Sequence, residues 1–389
     1  MRARWQIAAS LAACALLLTA SARAEDAAQS PVELVGKLQN SQAEIAQGSL
    51  VAYSAQFRIL REISEALSAT KPEVWKNSRN ARAAIIYLLS GGQPHIVEGL
   101  LNSGNISKDD EKLARGALDY VLGHEAEARQ LLGDVDPKSL EPSLGGQIAF
   151  VQSILLTAVD TKKAIALLDM ARLLAPGGLV EEAALRREVF VVGDMAHDGD
   201  RFLSLAAKYA TRFPRSPYAE NFVKGFTATL IRLRLYEDVG NFQKLESVAE
   251  SLSQDDRRGL FLTIARAALV NGKIAMADVA ASKALTLAQA DSADEARGRL
   301  YQSAARSVTD QYESGVVQLQ GIDSKKLPKR DAPLLAAARA VAKRIREQTN
   351  PPAAAAAPPT APDDSAAATI HLAEAALSKS QQPFSEGVP

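Results

Sequence analysis

Apolar residues recur at intervals of three and four from Pro31 to about Gln348, and no stretch shows the strict alternation of a half-buried strand. The opening segment illustrates the pattern. Ser30-Pro31-Val32-Glu33 supplies a capping hydroxyl, a proline at the first helical position and a glutamate three residues after the cap. Val32, Val35, Leu38 and Ile45 then form an apolar side, and Gly48 can close the helix. A second helix is predicted over 49–69, with Phe57, Leu60, Ile63 and Leu67 on one face. Pro72, Gly91-Gly92, Gly123, Pro142, Gly177-Gly178, Gly199, Pro214, Gly240, Gly272 and Gly321 punctuate the remainder. Those intervals leave room for helices of roughly 10 to 20 residues joined by short turns.

Some of these helices read as degenerate copies of one helical hairpin. Ala164, Leu168, Ala171, Leu174 and Pro176 have the spacing of the second helix and terminator of a tetratricopeptide repeat. Gly272, Ala277, Ala284-Leu285 and Leu287 fit its turn and second helix, and Gly116, Gly123 and Ala128 give a weaker match. In Phe213-Pro214-Arg215-Ser216-Pro217-Tyr218-Ala219 the proline stops one helix and the serine is expected to cap the next, as in the inter-repeat joints of bacterial envelope proteins. The fold expected is all-α: an α-solenoid of divergent tetratricopeptide-like hairpins over residues 25–348, about eight pairs at ~34 to 40 residues each. Residues 349–389 form a Pro/Ala-rich tail, read as disordered, in which Ile370, Ala373 and Leu377 allow at most one short amphipathic helix.

Composition agrees. Hydrophobic residues are 47% of the chain and aromatics only 5%, which favours helices over pleated sheet. The start of the chain carries an address. Arg2 and Arg4 precede an uncharged, mostly apolar run from Ile7 to Thr19, and Ala22-Arg23-Ala24 has the small-x-small form that a signal peptidase accepts. Residues 1–24 are therefore read as a cleaved signal peptide, and the mature protein is expected in the periplasm. The run is too short to span a bilayer, which takes about 20 residues. A lipoprotein signal at Leu11-Ala12-Ala13-Cys14 is disfavoured because the apolar run continues past the cysteine. The chain has 45 basic and 45 acidic residues; cleavage before Glu25 removes three arginines and no acid, leaving an acidic excess of three. That balance disfavours nucleic-acid binding, and Cys14, the single cysteine, excludes an internal disulfide framework.

Catalytic signatures are missing: no Gly-rich phosphate loop, no dinucleotide fingerprint and no nucleophile elbow. The expectation is therefore a non-enzyme with no cofactor and no catalytic or metal residue, its binding residues unassigned. Asp194, His197, Asp198 and Asp200 form the most polar cluster and have cation-binding side chains. They surround Gly199, however, where one helix should end and another begin, so helix capping is the preferred reading. His95 and His124 each follow a glycine-containing turn and read as surface residues. The strongest charge bias lies at Lys325, Lys326, Lys329, Arg330, Arg339, Lys343, Arg344 and Arg346, opposed by Asp331. Leu334, Ala338, Val341 and Ile345 give that helix a packing side, so its basic side is either a solvated cap or a surface for an acidic partner. Arg232 and Arg234, on the helix after Tyr218, are candidates to line a groove.

The order of parts (export signal, an all-helical region with divergent hairpins, a Pro/Ala-rich tail) resembles the MotC family, periplasmic motility proteins of alphaproteobacterial flagellar systems. The resemblance lies in organisation and offers no active-site residue to carry over. It implies a non-enzymatic scaffold required for flagellar rotation, whose partner is the periplasmic part of the stator protein MotB. The alternative that the residues leave open is a periplasmic helical-repeat adaptor in envelope assembly or cell-wall organisation.

Overall fold

The computed structural model describes residues 29–349, and these contain seventeen α-helices and no strand. The expected signal peptide at 1–24 and tail beyond 349 lie outside the described residues. The described residues up to Arg339 form one compact unit.

The first two helices arise as the sequence predicts. Helix α1 (Pro31–Ala46) begins with a complete capping box: Glu33 N–H donates to Ser30 Oγ at 3.3 Å, and Ser30 N–H donates to Glu33 Oε2 at 2.9 Å. Gly48, at φ +97°, reverses the chain, and α2 (Leu50–Ser68) follows with Ser49 as its cap. The face of α2 is shorter than the periodicity predicts. Ile63 and Leu67 are buried, but Phe57 is 87% exposed, since the neighbours of the first half of the helix cover Ala52 and meet Tyr53 without reaching the Phe57 ring.

The chain continues through α3 (Ser78–Leu89), α4 (Pro94–Asn102), α5 (Lys108–Leu122), α6 (Glu125–Leu132), α7 (Pro142–Leu156), α8 (Thr161–Leu174), α9 (Leu179–Asp194) and α10 (Gly199–Arg212). Then come α11 (Ala219–Arg232), α12 (Phe242–Glu250), α13 (Gln254–Val270), α14 (Ile274–Leu287), α15 (Ala293–Arg306), α16 (Tyr312–Gln320) and α17 (Ala332–Thr349). Most consecutive helices pack as pairs, including α5 with α6, α7 with α8, α9 with α10, α13 with α14 and α15 with α16. Small residues sit where the helices approach, as expected. Ala164, Leu168, Ala171, Ala277 and Ala284 are all buried. A Cβ placed on Gly116 of α5 would lie 2.6 Å from Leu132 Cγ, so this position admits no side chain.

Alternate helices touch as well: α1 meets α3, α3 meets α7, α7 meets α9, and α9 returns to α1. Those four close a ring, a contact that a strictly nearest-neighbour stack lacks. Gly48 seals it, since its Cβ position lies 2.5 Å from the Arg215 Cβ and carbonyl oxygen, and Tyr53 meets the Tyr218 ring edge-on at 6.5 Å. The 213–219 segment is thus both a joint in the stack and the seat of the amino-terminal pair. Ser216 differs from expectation: its hydroxyl accepts the Tyr218 N–H at 3.2 Å and faces Glu182, while α11 starts at Ala219 without a side-chain cap.

Buried acids connect the layers. Asp110, near the start of α5, accepts hydrogen bonds from Ser78 Oγ at 2.5 Å, Arg82 Nε at 2.8 Å and Ser107 Oγ at 2.8 Å. Burial pushes its carboxyl up, but those three donors outweigh it and hold the group below the ordinary 3.8. Asp331 is fully buried before α17, between Arg266 at 3.0 Å and Arg297 at 3.3 Å. The face of α17 differs by one position from the predicted one: Leu335 and Ala342 are buried, whereas Val341 is exposed.

Two outcomes test this packing. Gly116→Val should lower unfolding free energy by about 1–3 kcal/mol through overpacking against Leu132, whereas Gly36→Ala, with open space around it, should be neutral or raise it by up to ~1 kcal/mol. Urea titration of both variants checks this. Asp110→Asn should cost about 1–3 kcal/mol at neutral pH. Because folding lowers the Asp110 pKa, its stabilisation is present above about pH 3.8 and fades as pH falls through the lowered value. Urea titrations at pH 7 and near pH 3 should therefore show the gap between parent and variant closing in acid.

Candidate functional site

Helix α9 is built to organise a site. It follows a Pro176-Gly177-Gly178 turn, with Gly177 at φ +85°, and it packs on α7, α8, α10, α11 and α1. With neighbours on so many sides, its polar residues must find partners inside the fold. Glu182 is fully buried and accepts a hydrogen bond from Tyr209 Oη at 2.5 Å, one from Arg186 Nε at 3.0 Å and a longer one from Ser216 Oγ at 3.4 Å. Burial, reinforced by the Glu182 charge, raises the Tyr209 hydroxyl far above the ordinary tyrosine range, so it serves here as a permanent donor. Glu188, also fully buried, pairs with Arg172 of α8 and with Arg201 of α10, the latter at 2.8 Å. Burial pushes its carboxyl up, and the two arginines act against that shift.

Within the helix ring lies a cavity of about 210 Å³. Gln42 of α1, Ser90 after α3, Gln147 and Phe150 of α7, Arg186 of α9 and Tyr218 line it. Gln147 Nε2 donates to Ser90 Oγ at 2.9 Å, while its Oε1 is buried with no hydrogen-bond partner. Arg186 lies over the Tyr218 ring at 4.8 Å from its centroid, which fixes the guanidinium between an aromatic face and Glu182. The groups presented to this cavity include amides, a hydroxyl, a guanidinium and aromatic faces.

Aromatic residues, sparse in the sequence, collect beside this helix. Tyr209 and Phe222 have ring centroids 4.0 Å apart, and Phe202 and Phe226 stack at 5.2 Å. They form a stiff wedge between α10 and α11. A second surface is exposed: Leu50, Val51, Tyr53 and Phe57 of α2 leave apolar area open to solvent.

The residues singled out by sequence are dispersed. Asp194 accepts from Thr229 Oγ1 at 2.9 Å and pairs with Arg232; Asp198 caps α10 by accepting the Arg201 N–H at 3.0 Å; Asp200 pairs with Lys244 at 2.5 Å. His197 takes a left-handed backbone between two helices at φ +54°. Among the described residues no group of three or more His, Cys, Asp or Glu side chains has metal-holding geometry. His95 lies in the first turn of α4, not in a loop, with Nε2 3.3 Å from Ser68 Oγ; His124 Nδ1 is 3.4 Å from Asp119 Oδ1. Arg232 and Arg234 are exposed and each is engaged by an acid, Asp194 and Glu237 respectively, and Arg234 stands beyond the end of α11.

The basic segment is partly structural. Arg339 donates to the carbonyls of Leu319, Gln320 and Ile322, Lys326 pairs with Asp291, and Lys343 pairs with Glu347 one turn on at 3.7 Å. Lys325, Lys329 and Arg344 are exposed. Sequence reasoning missed Glu182, Glu188 and Arg187. A glutamate in a helical run ordinarily reads as a solvent-facing residue, and the available signal was that Glu182 and Glu188 fall on the same side as Leu185, Val189 and Val192.

The model of a protein family described as Chemotaxis protein MotC matches residues 1–388. A protein named Chemotaxis protein MotC from Rhizobium meliloti (strain 1021) is 28% identical over 315 residues, which span 80% of this chain and 71% of that relative.

Replacing Tyr209 by Phe removes a donor from a buried carboxylate and should lower stability by about 1–3 kcal/mol. Ser216→Ala, which loses only the longer contact, should cost less. Thermal melts of the two variants check the order.

Proposed function

This chain belongs to the MotC family of chemotaxis proteins, and from that premise we propose that it is a periplasmic, non-enzymatic protein-binding scaffold required for flagellar rotation. Its partner in this reading is the periplasmic part of the stator protein MotB. Family membership over nearly the whole chain carries the proposal. Three features support it. The amino terminus has the composition of a cleaved export signal. Among the described residues no helix is long and apolar enough to cross a membrane. The exposed row on α2 has the apolar character of a protein-docking surface, and a stack of helices offers such surfaces without a cofactor.

In mechanism, binding acts as free energy. A scaffold that prefers one arrangement of the stator's periplasmic part shifts the stator toward it by its difference in affinity, and ion flow remains the stator's own. Phe57 is suited to be an anchor, because an exposed ring gains most from burial in a partner's pocket.

A deletion strain should assemble complete filaments and fail to swim. Altered envelope permeability with normal swimming would instead support the envelope-adaptor reading. With purified proteins, Phe57→Ser should weaken binding to the periplasmic part of MotB by about tenfold or more, consistent with loss of an interface anchor, while leaving the melting temperature unchanged. Unchanged affinity would remove α2 from the interface.

A further inference from the structure

Around α9 the charges are matched with one exception. Glu181 pairs with Arg212, Glu182 with Arg186, Glu188 with Arg172 and Arg201, and Asp194 with Arg232. Arg187, in the middle of that helix, has no carboxylate within salt-bridge distance among the described residues. Its Nη2 donates to Thr157 Oγ1 at 3.0 Å, and its Nε is buried with no partner at all. Burial pushes the guanidinium below its ordinary value, and its one charge-type neighbour, the Tyr120 hydroxyl, is itself raised by burial and so neutral at physiological pH. Arginine still keeps its proton there. A half-buried cation without a counter-charge costs stability, and nothing in the packing requires this one.

Arg187 is one of the residues lining a half-open cleft of about 350 Å³ along α9, whose apolar wall is made by Phe190, Val191 and Met195 on that side and by Phe150 of α7 on the other. Phe150, Ala183 and Arg186 also line the ring cavity, so the two spaces adjoin. Gln147, with its unpartnered carbonyl oxygen, belongs to the second. One acid, Asp194, stands on the cleft wall, but Thr229 and Arg232 already engage it. The cleft therefore combines apolar walls, one unmatched positive charge and, next door, one unmatched acceptor. That set is complementary to a molecule with an apolar body and a carboxylate, and the acceptor suits a neighbouring N–H.

We infer that the α7–α9 cleft binds an apolar carboxylate, of the kind found at the carboxyl end of a peptide with a hydrophobic last residue, and that Arg187 is the partner of the carboxylate. This inference does not depend on the stator reading, because it concerns a ligand of stated chemistry and a cleft whose own lining includes no residue of α2.

The test uses the full mature chain and N-acetyl-phenylalanine, followed by calorimetry or by shifts in the NMR spectrum. Saturable binding is expected, with N-acetyl-phenylalaninamide weaker by about tenfold or more because it lacks the charge. Inorganic phosphate should not displace the acid at equal concentration. Arg187→Met should lose binding by a similar factor while melting at the same or a higher temperature, since the variant replaces an unmatched charge with an apolar chain. Arg187→Lys should retain part of the affinity. Comparison with 3-phenylpropanoate separates the sources: preference for the acetylated amino acid identifies a peptide end, the reverse a free acid, and both satisfy the assignment. The inference is overturned if the acid shows no saturable binding, if the amide binds equally, if phosphate displaces the acid, or if Arg187→Met binds as the parent does. A marked fall in the melting temperature of Arg187→Met would also overturn it, by showing the guanidinium to be part of the fold.

Discussion

Two glutamates on α9 have no access to water, and the arrangement of the middle of the molecule follows from that. Removing a carboxylate from solvent costs several kcal/mol unless donors replace the lost hydration. Glu182 obtains them from Tyr209, Arg186 and Ser216, and Glu188 from Arg172 and Arg201. These donors come from the preceding helix, from α9 itself, from the following helix and from the joint after it. A slip of any of these by one turn would leave a charge uncompensated, so the pairs specify register as well as contact. Apolar packing by Leu185, Val189 and Val192 supplies the driving force but discriminates far less between registers.

The same helix explains why the stack closes on itself. With its register fixed, α9 presents one side to α7 and another to α1, and the amino-terminal pair is held against the 213–219 joint by the glycine contact at Arg215 and the Tyr53–Tyr218 rings. Closure leaves a half-open cavity lined by both apolar and polar side chains, among them Val151, Leu179, Gln42 and Gln147. Two kinds of surface result, a cavity with fixed polar groups, to which α2 contributes Gln56, and the uncovered apolar residues on the exposed part of α2. The first is suited to small groups with defined hydrogen bonding and the second to a broad partner.

Much of the fold was legible because helical periodicity and turn chemistry are local. The capping box at Ser30, the reversal at Gly48 and the small residues of α8 and α14 follow from residues within a few positions of one another, and the tight α5–α6 approach at Gly116 from a neighbouring hairpin partner. Where local rules failed, a distant neighbour had decided. Phe57 lies on the apolar side that periodicity assigns, yet no helix arrives to cover it. Asp331 reads as an isolated acid in a basic segment, yet Arg266 and Arg297, far back in the chain, enclose it. Ser216 reads as a cap, yet its hydroxyl turns to a glutamate 34 residues earlier.

The amino-acid sequence by itself determined the class of structure, the first two helices, many of the turns and the resemblance to a motility family, because spacing, caps and composition act over short range. Only the tertiary structure decided which charges would be buried and matched, that α1 would meet α9, and that Arg187 would line a cleft without a carboxylate partner among the described residues. Those outcomes depend on the three-dimensional meeting of helices remote in sequence, where desolvation turns an ordinary surface residue type into either a structural pair or an unfilled valence.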